Sequence, residues 1–345
     1  MAIFGDHKYI IMKVAVVGVT GMVGQVMCRV LEERKFPITD FLPVASARSV
    51  GKTVVFMGKE HTIISMQEAI EKAPNLALFS AGGNTAKEFA PQFAAVGTTV
   101  VDNSSAFRMH KGMPLIVPEV NLHHLQAHHR IIANPNCSTI QLVVALKPLQ
   151  EQYGIERLII STYQSMTGTG VQAVQQYQEE SEGKKATNPA YPHPIFENCI
   201  PHCDVFVQDG YTREELKLVH ETRKILDSPQ MRITATAVRV PVKGGHSESV
   251  NITLSQPFEL SELKDVLEAA EGLIVVDNPT NNEYPMPLQA HHQDAVFVGR
   301  IRRDFSETNS LNMWVVADNL RKGAATNTIQ IAEYLHAKGW LNQQK

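Results

Sequence analysis

An apolar run of strand length, Lys13-Val14-Ala15-Val16-Val17, passes without a spacer into Gly18-Val19-Thr20-Gly21-Met22-Val23-Gly24. Beyond it Val23, Val26, Met27, Val30 and Leu31 recur at helical spacing. Strand, glycine turn and helix in that order form the opening of a dinucleotide-binding unit. Glycines let the backbone approach a pyrophosphate, and the helix N-terminus favours its charge. The pattern is GxxGxxG, a variant of the usual fingerprint. A plain strand-to-helix turn would read the same way, so its weight depends on the elements downstream.

Those elements alternate. Residues 41–45 and 76–80 read as strands, 85–96 as a helix and 98–101 as another strand, so the chain up to about residue 133 predicts a parallel, doubly wound sheet. Ligands in such sheets bind beyond the carboxyl ends of the strands. After the second strand stands Ser46-Ala47-Arg48-Ser49, with a cation and no carboxylate. An acidic residue there would bind a ribose 2′-hydroxyl, whereas Arg48 suits a 2′-phosphate, so NADP is favoured over NAD. Arg108, in Asp102-Asn103-Ser104-Ser105-Ala106-Phe107-Arg108, follows another strand end and is a candidate anion clamp.

A chain of 345 residues exceeds one core and implies two domains. Its net charge of -3 gives no reason to expect nucleic acid or an anionic membrane as partner. No apolar run reaches the length of a membrane span. Residues 1–11 lack signal-peptide character and read as a short extension. Four scattered cysteines suit a reducing cytosol, hence a cytoplasmic location, rather than a disulfide framework.

Cys137 is the chemical suspect among them. Asn134-Pro135-Asn136 is turn chemistry, and Ile140-Gln141-Leu142-Val143-Val144-Ala145-Leu146 reads as a buried helix. Cys137 is therefore expected at a helix N-terminus, where unpartnered N–H groups and the macrodipole favour thiolate over thiol and could hold an oxyanion. Alone, such a cysteine is more often a small buried hydrophobe. Past this helix the texture changes. Residues 158–163, 233–240, 248–254, 295–299 and 311–316 read as strands, and 211–226 as a charged helix. Another helix runs to about residue 182, and 183–201 is a long loop. This predicts a mixed or antiparallel sheet in an α+β domain. Arg239 ends one strand, and His246 follows two glycines into the next. A histidine within reach of Cys137 could take its proton, and Arg239 offers parallel N–H groups to a carboxylate. A helix opening at Asn319, with Ala325, Thr328, Ile329, Ala332 and Leu335 on one face, closes the chain.

These blocks resemble, in order and over nearly the whole chain from Met12, the bacterial NADP-dependent aspartate-semialdehyde dehydrogenases. Further matching blocks are Tyr163-Gln164-Ser165, Glu214-Glu215-Leu216-Lys217, Gly245-His246-Ser247-Glu248 and Asp318-Asn319-Leu320-Arg321-Lys322-Gly323. The resemblance implies a Rossmann-type NADP-binding domain (residues 12–136 and 319–345) and a mixed α+β substrate-binding and dimerisation domain (137–318), assembled as a homodimer. It implies Cys137 as nucleophile, His246 as acid/base and Gln164 as the residue orienting the acyl intermediate. Arg239 and Glu214, preferred over Glu215, would bind the substrate. Arg108, Lys217 and Asn136 would bind inorganic phosphate. Gly18, Thr20, Gly21, Met22, Val23, Arg48, Ser49, Thr167, Gly168 and Asn319 would contact NADP. The implied reaction is reversible oxidation of L-aspartate 4-semialdehyde through a thioester to L-4-aspartyl phosphate. It serves lysine, diaminopimelate, threonine, methionine and isoleucine biosynthesis.

No metal is expected. The histidines of 123–129 read as a solvated helix, with no carboxylate or cysteine joining them. Cys199 and Cys203 read as part of an interface loop, and His291 and His292 have no assigned role. Two alternatives stay open. An N-acetyl-glutamyl-phosphate reductase shares the Cys/His logic but takes a longer, acylated substrate, and a catalytically silent relative would act by binding alone.

Overall fold

Four of the five residues of β1 (Lys13–Val17) are buried, because parallel strands here pair on both sides and are covered on both faces. β1 pairs in parallel with β2 (Asp40–Val44) and β5 (Leu76–Phe79). β6 (Thr99–Asp102) and β7 (Ile131–Ala133) complete a five-stranded sheet of order β2-β1-β5-β6-β7. The computed structural model describes residues 12–341; the expected extension over 1–11 lies outside the described residues, as do 342–345. A small antiparallel hairpin, β3 (Thr53–Phe56) and β4 (Lys59–Thr62), forms a separate two-stranded sheet packed beside β2, with Phe56 stacked on Phe41.

Helices α1 (Met22–Glu33), α2 (Met66–Glu71), α3 (Gly83–Ala95) and the single turn α4 (Pro118–Asn121) follow the strands. The turn between β1 and α1 requires glycine. Gly18 has φ +87°, and a Cβ there would lie 2.3 Å from the Ser80 carbonyl oxygen. A Cβ on Gly24 would lie 2.2 Å from the Gly18 carbonyl oxygen, so strand and helix meet as closely as backbone allows.

The second sheet is built from β8 (Ile155–Ser165), β9 (Arg232–Val240), β10 (His246–Leu254), β11 (Leu273–Val275), β12 (Val296–Arg303) and β13 (Ser310–Ala317). Its order is β11-β12-β13-β10-β8-β9, antiparallel at the centre, with parallel pairs β8/β9 and β11/β12 at the edges. The mixed α+β domain is therefore present. α5 (Cys137–Tyr153) packs against β8, β10, β12 and β13. Residues 138–146 of α5 are all buried, which explains why its sequence is apolar without a polar stripe. Trimming Leu142 or Leu146 to alanine would cost about 2–5 kcal/mol. α6 (Val171–Ser181), α7 (Arg213–Ile225), α8 (Leu260–Glu268) and α9 (Pro287–Ala290) complete this half.

α10 (Thr326–Ala337) returns to the parallel sheet, where Ile329, Ala332 and Leu335 share a core with Val14, Val16 and Met27. Its start differs from expectation. No α-helix opens at Asn319; Asp318 Oδ1 accepts from the N–H groups of Leu320 and Arg321, and Arg321–Ala325 forms a π turn before α10. The histidine run is not helical either. A 3-10 turn (Leu122–His124) ends in extended Leu125, and the Gln126 N–H donates to His129 Nδ1, a local bond that competes with helix.

Candidate active site

Cys137 is the first residue of α5, just past the end of β7. Asn136 caps the helix, its Oδ1 accepting from the Ser138 N–H at 3.1 Å. Its N–H donates to Glu221 Oε2 (2.7 Å) and one Nδ2 N–H to Glu214 Oε1 (3.0 Å), which leaves the second Nδ2 N–H open. Behind the nucleophile lies the π turn, where a Cβ on Gly323 would come within 2.9 Å of Cys137 Cβ. Cys137 Sγ is 3.2 Å from His246 Nε2. The other ring nitrogen, Nδ1, accepts the Ser165 backbone N–H at 2.9 Å. A backbone amide only donates, so Nδ1 carries no proton and Nε2–H points at the sulfur.

The electrostatics correct one expectation. Burial raises the Cys137 thiol to about 11, with the Glu214 charge adding to it; Arg239, Arg108 and Lys217 pull the other way and lose. Thiol, not thiolate, is the resting form. Burial, and then the charge of Arg239, press the His246 imidazole down to about 3. The resting pair is neutral.

Gln164, near the end of β8, donates Nε2 to Ser138 Oγ (2.8 Å) and Glu214 Oε1 (3.1 Å). Burial opposes ionisation of Glu214, but the Lys217 charge and hydrogen bonds from Lys217, Gln164 and Asn136 outweigh it and hold the carboxyl at about 2. Lys217 Nζ is 2.8 Å from both Glu214 and Asp204. Glu215 points elsewhere: it completes the capping box of α7 with Thr212 and accepts the Ala237 N–H. Arg239 is buried at the end of β9, its Nη1 donating to the Ser165 carbonyl (2.6 Å) and its Nε without a partner. A buried guanidinium N–H left open is a place for an anion. Gly168 lets the chain pass close by; a Cβ would lie 3.1 Å from His246 Nε2 and 3.2 Å from Arg239 Nη1.

Arg108 reaches the same cleft but is held by protein groups. Nε donates to the Asn134 carbonyl, Nη2 to the Asn103 carbonyl, and Nη1 pairs with Glu221 at 3.0 Å. Two of its five N–H groups remain. The cleft, about 260 Å³, is lined among others by Val23, Arg108, Asn136, Cys137, Thr167, Gly168 and Asn319. Thr167 Oγ1 donates to Asn319 Oδ1 at 3.0 Å, joining its two walls. Gly18, Thr20, Gly21 and Met22 form the β1–α1 turn outside this lining. The Gly18 N–H bonds the Val44 carbonyl, which ties that turn to the end of β2, where exposed Arg48 and half-buried Ser49 follow.

Sequence reasoning missed several neighbours. Tyr191, from the long loop, lies 5.8 Å from the Arg239 guanidinium and donates to Thr169 Oγ1. Cys203 is buried with Arg239 and Glu214 acting on it, so that end of the loop faces the site. Glu221 joins Asn136 to Arg108. None carries a local signal, since each depends on which distant segment folds beside it. The histidine run likewise gains a carboxylate: His124 Nε2 is 2.9 Å and His123 Nε2 3.6 Å from Asp227 Oδ2. The Asn121 Nδ2 lies 3.4 Å from His124 Nδ1, which leaves Nε2 to face Asp227. His291 Nδ1 is 3.2 Å from Asp318 Oδ2, which also accepts the His292 N–H.

Residues 13–128 match the family model described as "Semialdehyde dehydrogenase, NAD binding domain", and residues 146–322 the model "Semialdehyde dehydrogenase, dimerisation domain". An aspartate-semialdehyde dehydrogenase of Aquifex aeolicus is 50% identical over 335 residues, covering 95% of this chain and 98% of the relative. The chain belongs to the aspartate-semialdehyde dehydrogenase family. A Legionella pneumophila member is 48% identical, with 94% and 95% of the two chains covered. The crystal structure of aspartate semialdehyde dehydrogenase II from Vibrio cholerae complexed with ASA superposes with a TM-score of 0.91 at 42% identity, covering 95% of this chain and 98% of that one. A Candida albicans structure "with NADP" matches at 25% identity, TM-score 0.76, covering 96% and 99%. Within the family frame, the NAD-binding model spans β1 to β6 and the dimerisation model the whole mixed sheet.

Proposed function

We propose that this chain catalyses the NADP-dependent, reversible oxidative phosphorylation of L-aspartate 4-semialdehyde to L-4-aspartyl phosphate. The observation that carries the reading is the 3.2 Å contact of Cys137 Sγ with His246 Nε2, beside an Arg239 whose buried Nε is unpartnered. The names of the relatives and the "ASA" complex of the Vibrio cholerae protein support the substrate.

Arg239 binds the substrate carboxylate and Glu214 its ammonium, which sets the aldehyde carbon before Cys137. As the sulfur forms a bond to that carbon, the Cys137 S–H proton is lost to solvent and the carbonyl π pair moves to oxygen, where the His246 Nε2–H hydrogen-bonds the developing charge. NADP, when bound, accepts hydride. The glycine turn fits a dinucleotide, since no side chain caps α1 at Gly21 and its first N–H groups are left for a pyrophosphate, and Arg48 and Ser49 would meet a 2′-phosphate. Thr167, Gly168 and Asn319 line the cleft between that turn and the sulfur. Loss of hydride leaves a Cys137 thioester, oriented by Gln164. A phosphate oxygen, held by Arg108, Lys217 and Asn136, then attacks the acyl carbon; the C–O bond forms as the C–S bond breaks and the sulfur leaves as thiolate. In the reverse direction this is a reductive step toward lysine, diaminopimelate, threonine, methionine and isoleucine.

The domain division 12–136 with 319–345, against 137–318, and a homodimer belong to the same reading. So do a cytoplasmic location and the absence of nucleic-acid, membrane and metal partners; no described helix is long and apolar enough to cross a membrane. The test is reduction of NADP+ and NAD+ by aspartate semialdehyde with and without phosphate, against N-acetyl-glutamate semialdehyde. Phosphate-dependent turnover of the first with NADP+ is expected. Turnover independent of phosphate, or preference for the acetylated aldehyde, overturns the reading.

A further inference from the structure

Glu248 is fully buried on β10, two residues beyond His246 and on the same face of the strand. Neither of its carboxyl oxygens has a hydrogen-bond partner. Two other orphaned buried polar atoms belong to its surroundings. Thr162, whose Oγ1 is unpartnered, is the residue directly opposite Glu248 on β8. Gln141, whose Oε1 is unpartnered, lies on α5 one turn beyond Cys137, near enough to act on the Glu248 carboxyl. The orientation of the Gln141 amide is fixed by its Nε2, which donates to the His246 carbonyl at 3.3 Å. Gln141 Oε1 is therefore an acceptor in need of a donor.

A carboxylate only accepts, and unpaired in the interior it is among the costliest groups a protein can bury. A carboxylic acid donates. Burial favours the neutral form of Glu248, and the nearby charge of Glu214 on α7 favours it further against the Gln141 contact. One proton turns two acceptors into a bonded pair: the acid O–H of Glu248 has Gln141 Oε1, itself in need of a donor, to meet.

We propose that Glu248 is a positioning residue, held as a neutral carboxylic acid that donates to Gln141, which in turn pins the His246 backbone and aims Nε2–H at Cys137. The chain of contacts runs from acid to amide to the carbonyl of the histidine, and the Ser165 N–H fixes the ring from the other side. The catalytic part of this role rests on the proposed roles of Cys137 and His246; the protonation of Glu248 does not.

The two parts are tested separately. Infrared difference spectra of the full-length protein at neutral pH, wild type minus Glu248→Gln, should show the carbonyl stretch of a protonated carboxylic acid. A carboxylate band in its place overturns the proposal whatever the enzyme's substrate. In steady-state assays Glu248→Gln, which keeps a neutral donor and acceptor, should hold kcat within about threefold of wild type. Glu248→Leu should lower kcat by about tenfold or more through misplacement of the imidazole, with KM little changed. The alkylation rate of Cys137 should move with kcat in the same variants, a readout independent of the substrate. Equal losses in Glu248→Gln and Glu248→Leu, or a fully active Glu248→Leu, overturn the positioning role, and loss of function in the glutamine variant with native thermal stability shows that the negative charge was required.

Discussion

His246 Nδ1 faces a backbone N–H, which confines the imidazole to one tautomer. For the ring to take up a second proton, the Ser165 bond must open, and burial beside Arg239 already presses the imidazole down to about 3. The histidine therefore serves the resting sulfur as a donor rather than as the cation of an imidazolium–thiolate pair. With the Cys137 thiol at about 11, alkylation of Cys137 by iodoacetamide should keep accelerating from pH 7 through pH 10 and show no plateau near neutrality. Mass-spectrometric rates at Cys137, with exposed Cys199 as internal reference, check this; a plateau between pH 6 and 8 would indicate a preformed ion pair. Bound anions or a cationic ring near the sulfur would lower the thiol, so activation belongs to the complex. A second consequence concerns stability. Glu214 is depressed from 4.5 to about 2 and His246 from 6.5 to about 3. In both, the unfolded chain binds a proton the folded one resists, so each contributes stability that is fully present above its unfolded value and lost as pH falls toward its folded value. Thermal melts should show Tm declining below pH 6.5 and more steeply below 4.5. His246→Asn should flatten the first part and Glu214→Gln the second. Equal slopes in all three proteins would contradict these shifts.

At the scale of the element, the site is a meeting of ends: the start of α5, the ends of β8 and β9, the start of β10, the first turn of α7 and the π turn before α10. The π turn is the least replaceable of these. π turns concentrate at functional sites because they shift side chains off the α-helical register, and this one sets a glycine against the nucleophile. Gly323→Ala would bring a methyl to 2.9 Å of Cys137 Cβ. The start of α5 would have to move, so kcat is expected to fall by about a hundredfold with KM and Tm little affected; turnover within a few-fold of wild type would show that the turn yields instead. How much of this was legible depends on the range of each interaction. The β1 turn, the turn at Asn134-Pro135-Asn136 and the helix that opens at Cys137 are written in adjacent residues, and the structure places them as their spacing predicts. The π turn replaces the predicted helix start because Asp318 captures two N–H groups and α10 then settles on the parallel sheet. The histidine turn breaks because Leu125 is buried and His129 bonds Gln126. Tyr191 beside Arg239, Asp227 beside His124 and Glu221 beside Arg108 were illegible because each pairs residues from distant segments. The neutral Cys137 could not be read either, since burial is a property of the completed fold.

For the whole molecule, the mixed sheet is asymmetric. One face is packed on α5. Ser161 and Tyr163 of β8, Ser249 and Asn251 of β10, and Asn312 and Trp314 of β13 alternate onto the other face and keep partial exposure. Tyr163 is 39% exposed and its ring lies 5.3 Å from that of Trp314, an aromatic pair of the kind enriched in interface cores. This half of the chain matches the family's dimerisation domain, so a second copy is the occupant expected on this face. Tyr163 immediately precedes Gln164 and Ser165, which bond Glu214 and His246. Assembly through this face would then stiffen the strand that carries both, and dimerisation and catalysis would be coupled. Sedimentation velocity should report a dimer of the 38.2 kDa chain. Tyr163→Glu, which buries a charge at that contact, should yield monomers with native circular dichroism and a kcat lowered by about tenfold or more, since the strand holding Gln164 loses its outer support. A wild type that sediments as a monomer, or a Tyr163→Glu protein that remains dimeric, would place the interface elsewhere. Monomers with full activity would keep the interface and remove the coupling, confining the work of catalysis to a single protomer.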